Sequence, residues 1–185
     1  MNLVACVDKN FGIGKNNQLL FDNAIDMAYF KRLTTNKVVV MGRVTFDQLT
    51  IKPLPNRINI VLSHNVIIDE MDISNAQFNK HKNPNTVLMS AKNVDELLTL
   101  LTNYQSEDIY ICGGQSVYDA MSKYCDYAYI NKMDKSTQAD TFIQNFDLDS
   151  SWQLVNSKLE HNIQFCLYKN LLRNKITSLR NRISL

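Results

Sequence analysis

The apolar residues of this chain fall into short runs separated by polar stretches. The runs span three to seven residues and are rich in Val, Ile and Leu, which is typical of β-strands. The predicted strands are Leu3–Val7, Lys37–Met41, Ile58–Leu62, Val66–Ile68, Thr86–Met89, Ile109–Cys112, Tyr127–Asn131, Gln153–Leu159 and Gln164–Tyr168. Between them, apolar residues recur every three or four positions, as on one face of a helix. The predicted helical faces are Ile25, Tyr29, Phe30 and Leu33; Val94, Leu97, Leu98 and Leu101; Val117, Tyr118 and Met121; and a shorter segment, Thr45–Leu49.

Strands that alternate with helices predict an α/β fold with a predominantly parallel central sheet flanked by helices. The last two strands have no helix between them, which indicates an antiparallel hairpin at one edge of the sheet. The polar stretch Asp69–Asn85 predicts a surface loop. We find no repeat and no linker, so we expect a single domain over residues 1–170. Residues 171–185 form a basic extension with apolar residues at helical spacing.

Composition narrows the class of protein only slightly. A net charge of +2 and a hydrophobic fraction of 45% are ordinary for a soluble protein and do not indicate a nucleic-acid or membrane partner. No apolar run is long enough to cross a bilayer, and no signal peptide is evident, so we expect a cytoplasmic protein. The cysteines are Cys6, Cys112, Cys125 and Cys166. Their wide spacing favours buried reduced thiols over disulfides or a metal site.

Two glycine turns follow predicted strands directly. Gly42-Arg43-x-Thr45 comes after the strand that ends at Met41, and Gly113-Gly114-Gln115-Ser116 comes after the strand that ends at Cys112. A glycine there lets the backbone approach a ligand closely, and the N–H groups of a following helix attract anions. Either turn alone could be an ordinary tight turn. Together they predict a dinucleotide diphosphate at the carboxyl edge of the sheet, although the usual dinucleotide fingerprint is absent.

Asp26 is an acid on an apolar helix face. It shares the i, i+3, i+4, i+7 spacing with Tyr29, Phe30 and Leu33. Most such acids face solvent. Burial would raise the pKa of this carboxyl and bring proton-transfer chemistry within reach.

Taken in order, the chain resembles the dihydrofolate reductase family. The matching segments share the family's residue types at its spacing: Ile13-Gly14-x-x-x-x-Leu19, Asp26-Met27-x-x-Phe30-Lys31-x-x-Thr34, Val40-Met41-Gly42-Arg43-x-Thr45-Phe46, Pro53-Leu54-Pro55-x-Arg57-x-Asn59-Ile60-Val61-Leu62-Ser63, Ile111-Cys112-Gly113-Gly114-x-x-x-Tyr118 and Asp140-Thr141-Phe142. They cover most of the chain. The resemblance implies reduction of 7,8-dihydrofolate to tetrahydrofolate with NADPH as the cofactor, and diaminopyrimidine-type antifolates as inhibitors.

The resemblance also implies roles for individual residues. Asp26 would bind the amidine-like edge of the pterin and favour protonation of the ring, and Arg57 would pair with the α-carboxylate of the folate's glutamate. The substrate-contacting set is Cys6, Asp26, Met27, Phe30, Leu49, Leu54, Arg57, Cys112 and Tyr118. The cofactor-contacting set is Cys6, Ile13, Gly14, Leu19, Gly42, Arg43, Val44, Thr45, Leu62, Ser63, His64, Lys92, Cys112, Gly113, Gly114, Gln115, Ser116, Val117 and Tyr118. The Gly113–Gly114 peptide is typically cis in this family.

The chain departs from the family pattern beside the expected catalytic acid. The usual Pro-Trp pair is Leu20-Phe21, and phenylalanine cannot donate the hydrogen bond that the tryptophan gives to a water. The usual threonine beside the acid is Asn131. Phe21 and Asn131 are therefore expected to serve in the catalytic set with altered geometry. Ala139 stands where a glycine precedes Asp140, which would stiffen that loop.

Two other functions remain open from the sequence. A non-catalytic pterin- or nucleotide-binding paralogue would explain Leu20, Phe21 and Asn131. A reductase of riboflavin synthesis has a related fold, but Asp26 and Arg57 argue against it. We expect a monomer, with a dimer through residues 171–185 as the alternative.

Overall fold

The computed structural model describes residues 1–64 and 85–173. The strands are β1 Asn2–Val7, β2 Gly12–Lys15, β3 Gln18–Leu19, β4 Val38–Gly42, β5 Ile58–Leu62, β6 Val87–Ala91, β7 Ile109–Ile111, β8 Tyr127–Met133, β9 Thr141–Phe142, β10 Trp152–Glu160 and β11 Ile163–Asn170. The helices are α1 Ala24–Thr34, α2 Arg43–Asp47, α3 Val94–Leu101 and α4 Gln115–Met121.

One eight-stranded sheet forms the centre of the molecule, in the order β10-β11-β8-β1-β7-β4-β5-β6. Strands β8, β1, β7, β4, β5 and β6 are mutually parallel, whereas β11 and β10 run antiparallel at one edge. The predicted fold, a single α/β domain with a mainly parallel sheet and a C-terminal antiparallel hairpin, is confirmed.

Side chains on both faces of the sheet are buried. In β4, Val38 and Val40 join the larger apolar cluster, which includes residues of α3 and α4, while Val39 and Met41 join a second cluster that includes Phe46 of α2. This explains why the parallel strands read as continuous apolar runs rather than as alternating ones.

A second sheet, with the order β3-β2-β9, was not predicted. Its strands span only two to four residues, and β2 reads Gly-Ile-Gly-Lys, which carries almost no apolar signal. It joins the segment Gly12–Leu19, here called the active-site loop, to residues Thr141–Phe142.

Several predicted boundaries were wrong by a few residues. Cys112 lies just beyond β7, and β8 continues past Asn131 to Met133. Ile25 is 36% exposed, so the apolar face of α1 is narrower than its spacing predicted. The predicted strand Val66–Ile68 and almost all of the predicted loop Asp69–Asn85 lie outside the described residues.

Asp8, which is 1% exposed, fixes the base of the active-site loop. Its Oδ1 atom accepts the N–H groups of Asn10 and Gly12, both at 2.8 Å. Its Oδ2 atom accepts the backbone N–H of Thr137 at 2.9 Å and the Thr137 hydroxyl at 2.7 Å. Burial alone would raise the pKa of Asp8, but these hydrogen bonds outweigh it and hold the pKa below its ordinary value.

We expect Asp8→Asn to lower the free energy of unfolding by about 2–3 kcal/mol at neutral pH, because the amide NH₂ would face backbone N–H donors. A carboxylate with a depressed pKa stabilises the fold above its usual pKa of about 3.9, and this contribution is lost as the pH falls through its folded pKa. The deficit should therefore shrink in acid.

Denaturant unfolding at neutral pH and near pH 3 measures this change. Asp134→Asn is the matched control, since the Asp134 side chain is 72% exposed and pairs with exposed Lys9. An Asp8→Asn deficit that stays constant over the pH range would contradict the assignment.

Candidate active site

The carboxyl ends of the parallel strands place the predicted site residues along one edge of the sheet. Cys6 is near the end of β1, Gly42 ends β4, Cys112 follows β7, and Asn131 lies in β8. Helices α1, α2 and α4 begin along this edge. Ligands of open α/β sheets bind at such an edge.

Asp26 lies in the first turn of α1, which faces the sheet at β8. Asn23 caps the helix, because its Oδ1 atom accepts the N–H groups of Ile25 and Asp26 at 2.9 and 3.2 Å. The Asn131 Nδ2 atom donates to Asp26 Oδ1 at 2.7 Å, and the Cys6 thiol also donates to this carboxylate. Burial raises the pKa of Asp26, and these two hydrogen bonds offset only part of the rise.

Asn131 is 1% exposed and in register with Cys6 of β1. The carboxylate of Asp26 requires a donor, which orients the amide nitrogen toward it. The Oδ1 atom of Asn131 then accepts no hydrogen bond from the described residues. A buried acceptor without a partner is costly, so this atom is available to a donor from a bound molecule. Asparagine thus keeps the donor that threonine would supply.

Beside Asp26, apolar side chains are incompletely covered. Phe30 is partly buried, and Met27 of the same helix is 51% exposed. Leu49, Leu54 and Cys112 pack as partly buried side chains on the second apolar cluster. Such half-covered apolar surface is typical of a cleft wall that accepts a flat ring.

Arg57 is only 3% exposed. Its Nε atom donates to the Thr34 hydroxyl and its Nη1 atom to the Pro55 carbonyl, both at 2.8 Å. Its Nη2 atom is 3.5 Å from both Lys31 O and Thr35 Oγ1, and its guanidinium carbon is 5.9 Å from the centre of the Phe30 ring. No Asp or Glu among the described residues pairs with it.

A buried arginine without a carboxylate partner can bind an anionic ligand, since leaving the charge uncompensated is unfavourable. Two supporting residues escaped the sequence reasoning as functional positions. Thr34 orients the Arg57 guanidinium, and Asn59, fully buried, bonds to both the N–H and the carbonyl of Leu54. The sequence signal that could have identified these two residues is a polar side chain within an otherwise apolar segment.

The two glycine turns meet each other. The Gly42 N–H donates to the Gly113 carbonyl at 2.6 Å. Gly113 has φ +106°, a conformation that favours glycine, and an added Cβ there would lie 3.1 Å from the Tyr118 ring. A Cβ on Gly114 would lie 3.3 Å from Thr45 Oγ1. The Gly113–Gly114 peptide is cis, as the resemblance implies.

An added Cβ at either turn would crowd neighbouring protein atoms, so glycine lets the two turns pack closely against each other. Gln115 and Ser116 are exposed at the start of α4. Val117 and Tyr118 are buried, their N–H groups donate to Gly114 O, and the Tyr118 hydroxyl donates to Val4 O. These last two residues therefore shape the turn from inside. The two glycine turns, with the helix N-termini that follow them, are suited to the phosphates of a dinucleotide.

The residues predicted for the far end of the cofactor lie at the end of β5 or just beyond β4, β5 and β6. Leu62 and Ser63 are partly buried, and His64 and Lys92 are exposed. Arg43 is also exposed and pairs with Asp47, Nε to Oδ2, at 2.6 Å, while neighbouring Val44 is 54% exposed. Arg43, Ser63 and Lys92 follow neighbouring strands of the sheet. Their cationic groups and hydroxyl therefore lie at one corner of its carboxyl edge.

The site residues predicted in and just after the active-site loop differ in how far they are buried. Gly14 is buried, Ile13 and Phe21 are partly buried, and Leu19 is 65% exposed. The Asn16 N–H donates to the Asp140 carboxylate at 2.8 Å, which ties the loop to the segment before β9. A Cβ on Gly12 would lie 2.4 Å from the Ala139 methyl group, so Ala139 fills the space that this glycine leaves.

Within the described ranges, no group of three or more His, Cys, Asp or Glu side chains is placed to hold a metal ion. No helix in these ranges is long and apolar enough to cross a membrane. All four cysteines are free, as their spacing predicted; Cys125 and Cys166 are buried, and Cys6 and Cys112 are partly buried.

This arrangement suits transfer of hydride between a dinucleotide and a flat heterocycle. The site combines two glycine turns at helix N-termini, a partly buried carboxyl and a buried arginine. The fold and site thus define a small, single-domain dinucleotide-dependent reductase. A family model described as Dihydrofolate reductase matches residues 1–170, and the chain belongs to the dihydrofolate reductase family.

Similar proteins agree with this assignment. The chain is 30% identical over 158 residues to a dihydrofolate reductase of Bacillus subtilis, covering 85% of this chain and 83% of the relative. It is 32% identical over 191 residues to that of Heliothis virescens, covering 92% and 97%. A dihydrofolate reductase from Enterococcus faecalis, complexed with NADP(H) and RAB-propyl, has a similar fold. Its TM-score is 0.68 at 24% identity, with coverage of 91% and 95%.

Proposed function

We propose that this chain reduces 7,8-dihydrofolate to 5,6,7,8-tetrahydrofolate with NADPH, using Asp26 to bind and polarise the pterin and Arg57 to hold the folate carboxylate. The chain is an NADPH-dependent oxidoreductase of the dihydrofolate reductase family. The division of roles is supported by a partly buried acid, Asp26, and a buried arginine, Arg57, which lies over the Phe30 ring and has no acidic partner among the described residues.

Asp26 acts on the pterin by charge and hydrogen bonding. Its carboxylate accepts N–H donors from the amidine-like ring edge and stabilises the cation that develops when the ring is protonated. Asn131 and Cys6 each donate to this carboxylate, which keeps the charged form accessible despite burial. The proton reaches the ring nitrogen from water, because the carboxylate binds a different edge.

The cofactor is held by residues of the two glycine turns and the adjacent corner. Gly42, Thr45 and Gly114 provide the close-approach surface for the phosphates. Ser63 and His64 bind the 2′-phosphate that distinguishes NADPH from NADH together with Arg43, and Lys92 joins them. When bound, NADPH supplies the hydride.

We further infer a cytoplasmic monomer. Four free thiols fit a reducing compartment.

The loss of NADPH absorbance on addition of 7,8-dihydrofolate tests the function. We expect turnover at neutral pH, and faster turnover with NADPH than with NADH. Tight NADPH binding without turnover of any dihydropteridine would favour the non-catalytic paralogue instead. Calorimetric binding of NADPH, measured in parallel, separates that outcome from a failure to bind the cofactor.

A further inference from the structure

Lys132 extends from the face of β8 opposite to Asn131, into a cluster of aromatic rings. Its Nζ atom is 4.9 Å from the centre of the Phe11 ring and 5.4 Å from that of Tyr168. It also donates to both carboxylate oxygens of Asp147, at 2.6 and 2.8 Å. The Tyr168 hydroxyl donates to Asp147 at 2.5 Å. The Lys132 side chain is 16% exposed, and its ammonium is thus held by one anion beside two ring faces.

Phe11 connects this cluster to the active-site loop. It is 2% exposed and has φ 61°, the left-handed conformation that a bulky residue keeps only when its surroundings hold it. Its carbonyl accepts the Ile143 N–H at 3.0 Å, and its ring centre is 6.3 Å from that of Phe146. The next residue begins β2, so the position of Phe11 determines where Ile13 and Gly14 lie.

We propose that Lys132 is a positioning residue for the active-site loop. Its ammonium, held by Asp147 against the Phe11 ring, fixes Phe11 and so orients Ile13 and Gly14 toward the cofactor. This role rests on the proposed function, since it assumes that the loop contacts bound NADPH.

The charge of Lys132 favours a role in positioning Phe11 over a role in stabilising the fold. The Asp147 side chain is 47% exposed, so solvent screens this ion pair, and such partly exposed pairs contribute little net stability. A cation does fix the ring that it faces, since the attraction depends on the ring's orientation. The neighbouring residue in β8 is Asn131, which holds Asp26, so one strand end secures both the catalytic acid and the loop.

Lys132→Met is the main test, because it keeps the aliphatic stem and removes the charge. Lys132→Arg restores a cation, and Asp147→Asn removes the anion while leaving the lysine in place. Lys158→Met is the control, since the Lys158 side chain is 72% exposed. For each variant, calorimetry gives the Kd for NADPH, steady-state rates give kcat and KM, and thermal unfolding gives Tm.

We expect Lys132→Met and Asp147→Asn to raise the Kd and KM for NADPH about fivefold, with Lys132→Arg within about twofold of wild type. A lower Tm with unchanged Kd and KM would overturn the proposal and leave Lys132 a structural role. Equal losses in Lys132→Met and Lys132→Arg would also overturn it. If the wild type binds NADPH but does not turn over, the proposed function fails, while the Kd comparison still decides the role of Lys132.

Discussion

Asp26→Asn is expected to lower kcat/KM for 7,8-dihydrofolate at neutral pH by about a hundredfold or more, the loss typical of removing a preorganised charge from a developing ion. The asparagine can still accept the Asn131 N–H, so the geometry of the pocket is kept. What disappears is the negative charge that favours the protonated ring.

The pH dependence of this loss identifies its cause. As the pH falls, solvent protonates the dihydropterin without help from the protein, so the deficit of Asp26→Asn should narrow. Profiles of kcat/KM between about pH 5 and pH 9 measure this trend. Asp22→Asn, at an exposed position just before α1, is the matched control and should follow the wild type. A deficit that is equal at every pH would show that Asp26 acts only by contact.

We expect Asp26→Asn to lower the activity without lowering the free energy of unfolding. Because burial raises the pKa of Asp26, folding favours the neutral acid, and ionisation above the folded pKa costs stability. The uncharged asparagine removes this cost at neutral pH. An Asp26→Asn variant that unfolds no more easily than the wild type, yet turns over slowly, would therefore separate catalysis from folding.

Much of the frame could be predicted because its signals are local. The apolar runs become strands that are buried on both faces. Gly42 and Gly113 could be identified as site residues because they come directly at the ends of predicted strands. Spacing along α1 also places Asp26 correctly on the half-buried face with Phe30. The resemblance then supplied roles that periodicity alone does not contain.

The remainder depends on contacts between distant parts of the chain. Asp8 meets Thr137, and Lys132 meets the Phe11 ring, through hydrogen bonds and ring contacts that no local pattern records. The small sheet was not predicted because β2 contains two glycines and a single apolar side chain, Ile13. Buried polar residues such as Thr34 are visible in the sequence, but their partners are known only once the fold brings them together.

Arg57 is the second position where a large effect is expected. The contacts of Arg57 fit the proposed binding of an anion, because its described partners are hydroxyls and carbonyls and its Nη2 contacts are long, at 3.5 Å. A carboxylate fits the planar fork of an arginine through two parallel hydrogen bonds, which a lysine cannot form.

Arg57→Lys is therefore expected to raise KM for 7,8-dihydrofolate with a smaller effect on kcat. Loss of one partner from a buried charge pair costs about 2 kcal/mol or more, which corresponds to roughly a thirtyfold loss in kcat/KM. The KM for NADPH should stay near the wild-type value, because the glycine turns lie on other strands. Arg32→Lys, at an exposed position on α1, is the matched control.

A dihydropteridine that lacks the glutamate tail distinguishes recognition of the carboxylate from damage to the cleft. Since Arg57 also donates to Thr34 and Pro55, its replacement could shift α1 and with it Asp26. If Arg57 serves the carboxylate, wild type and Arg57→Lys should reduce the tail-less substrate at similar rates and differ only on 7,8-dihydrofolate. If both substrates lose the same factor, the arginine supports the position of Asp26, and the anion-binding role is wrong.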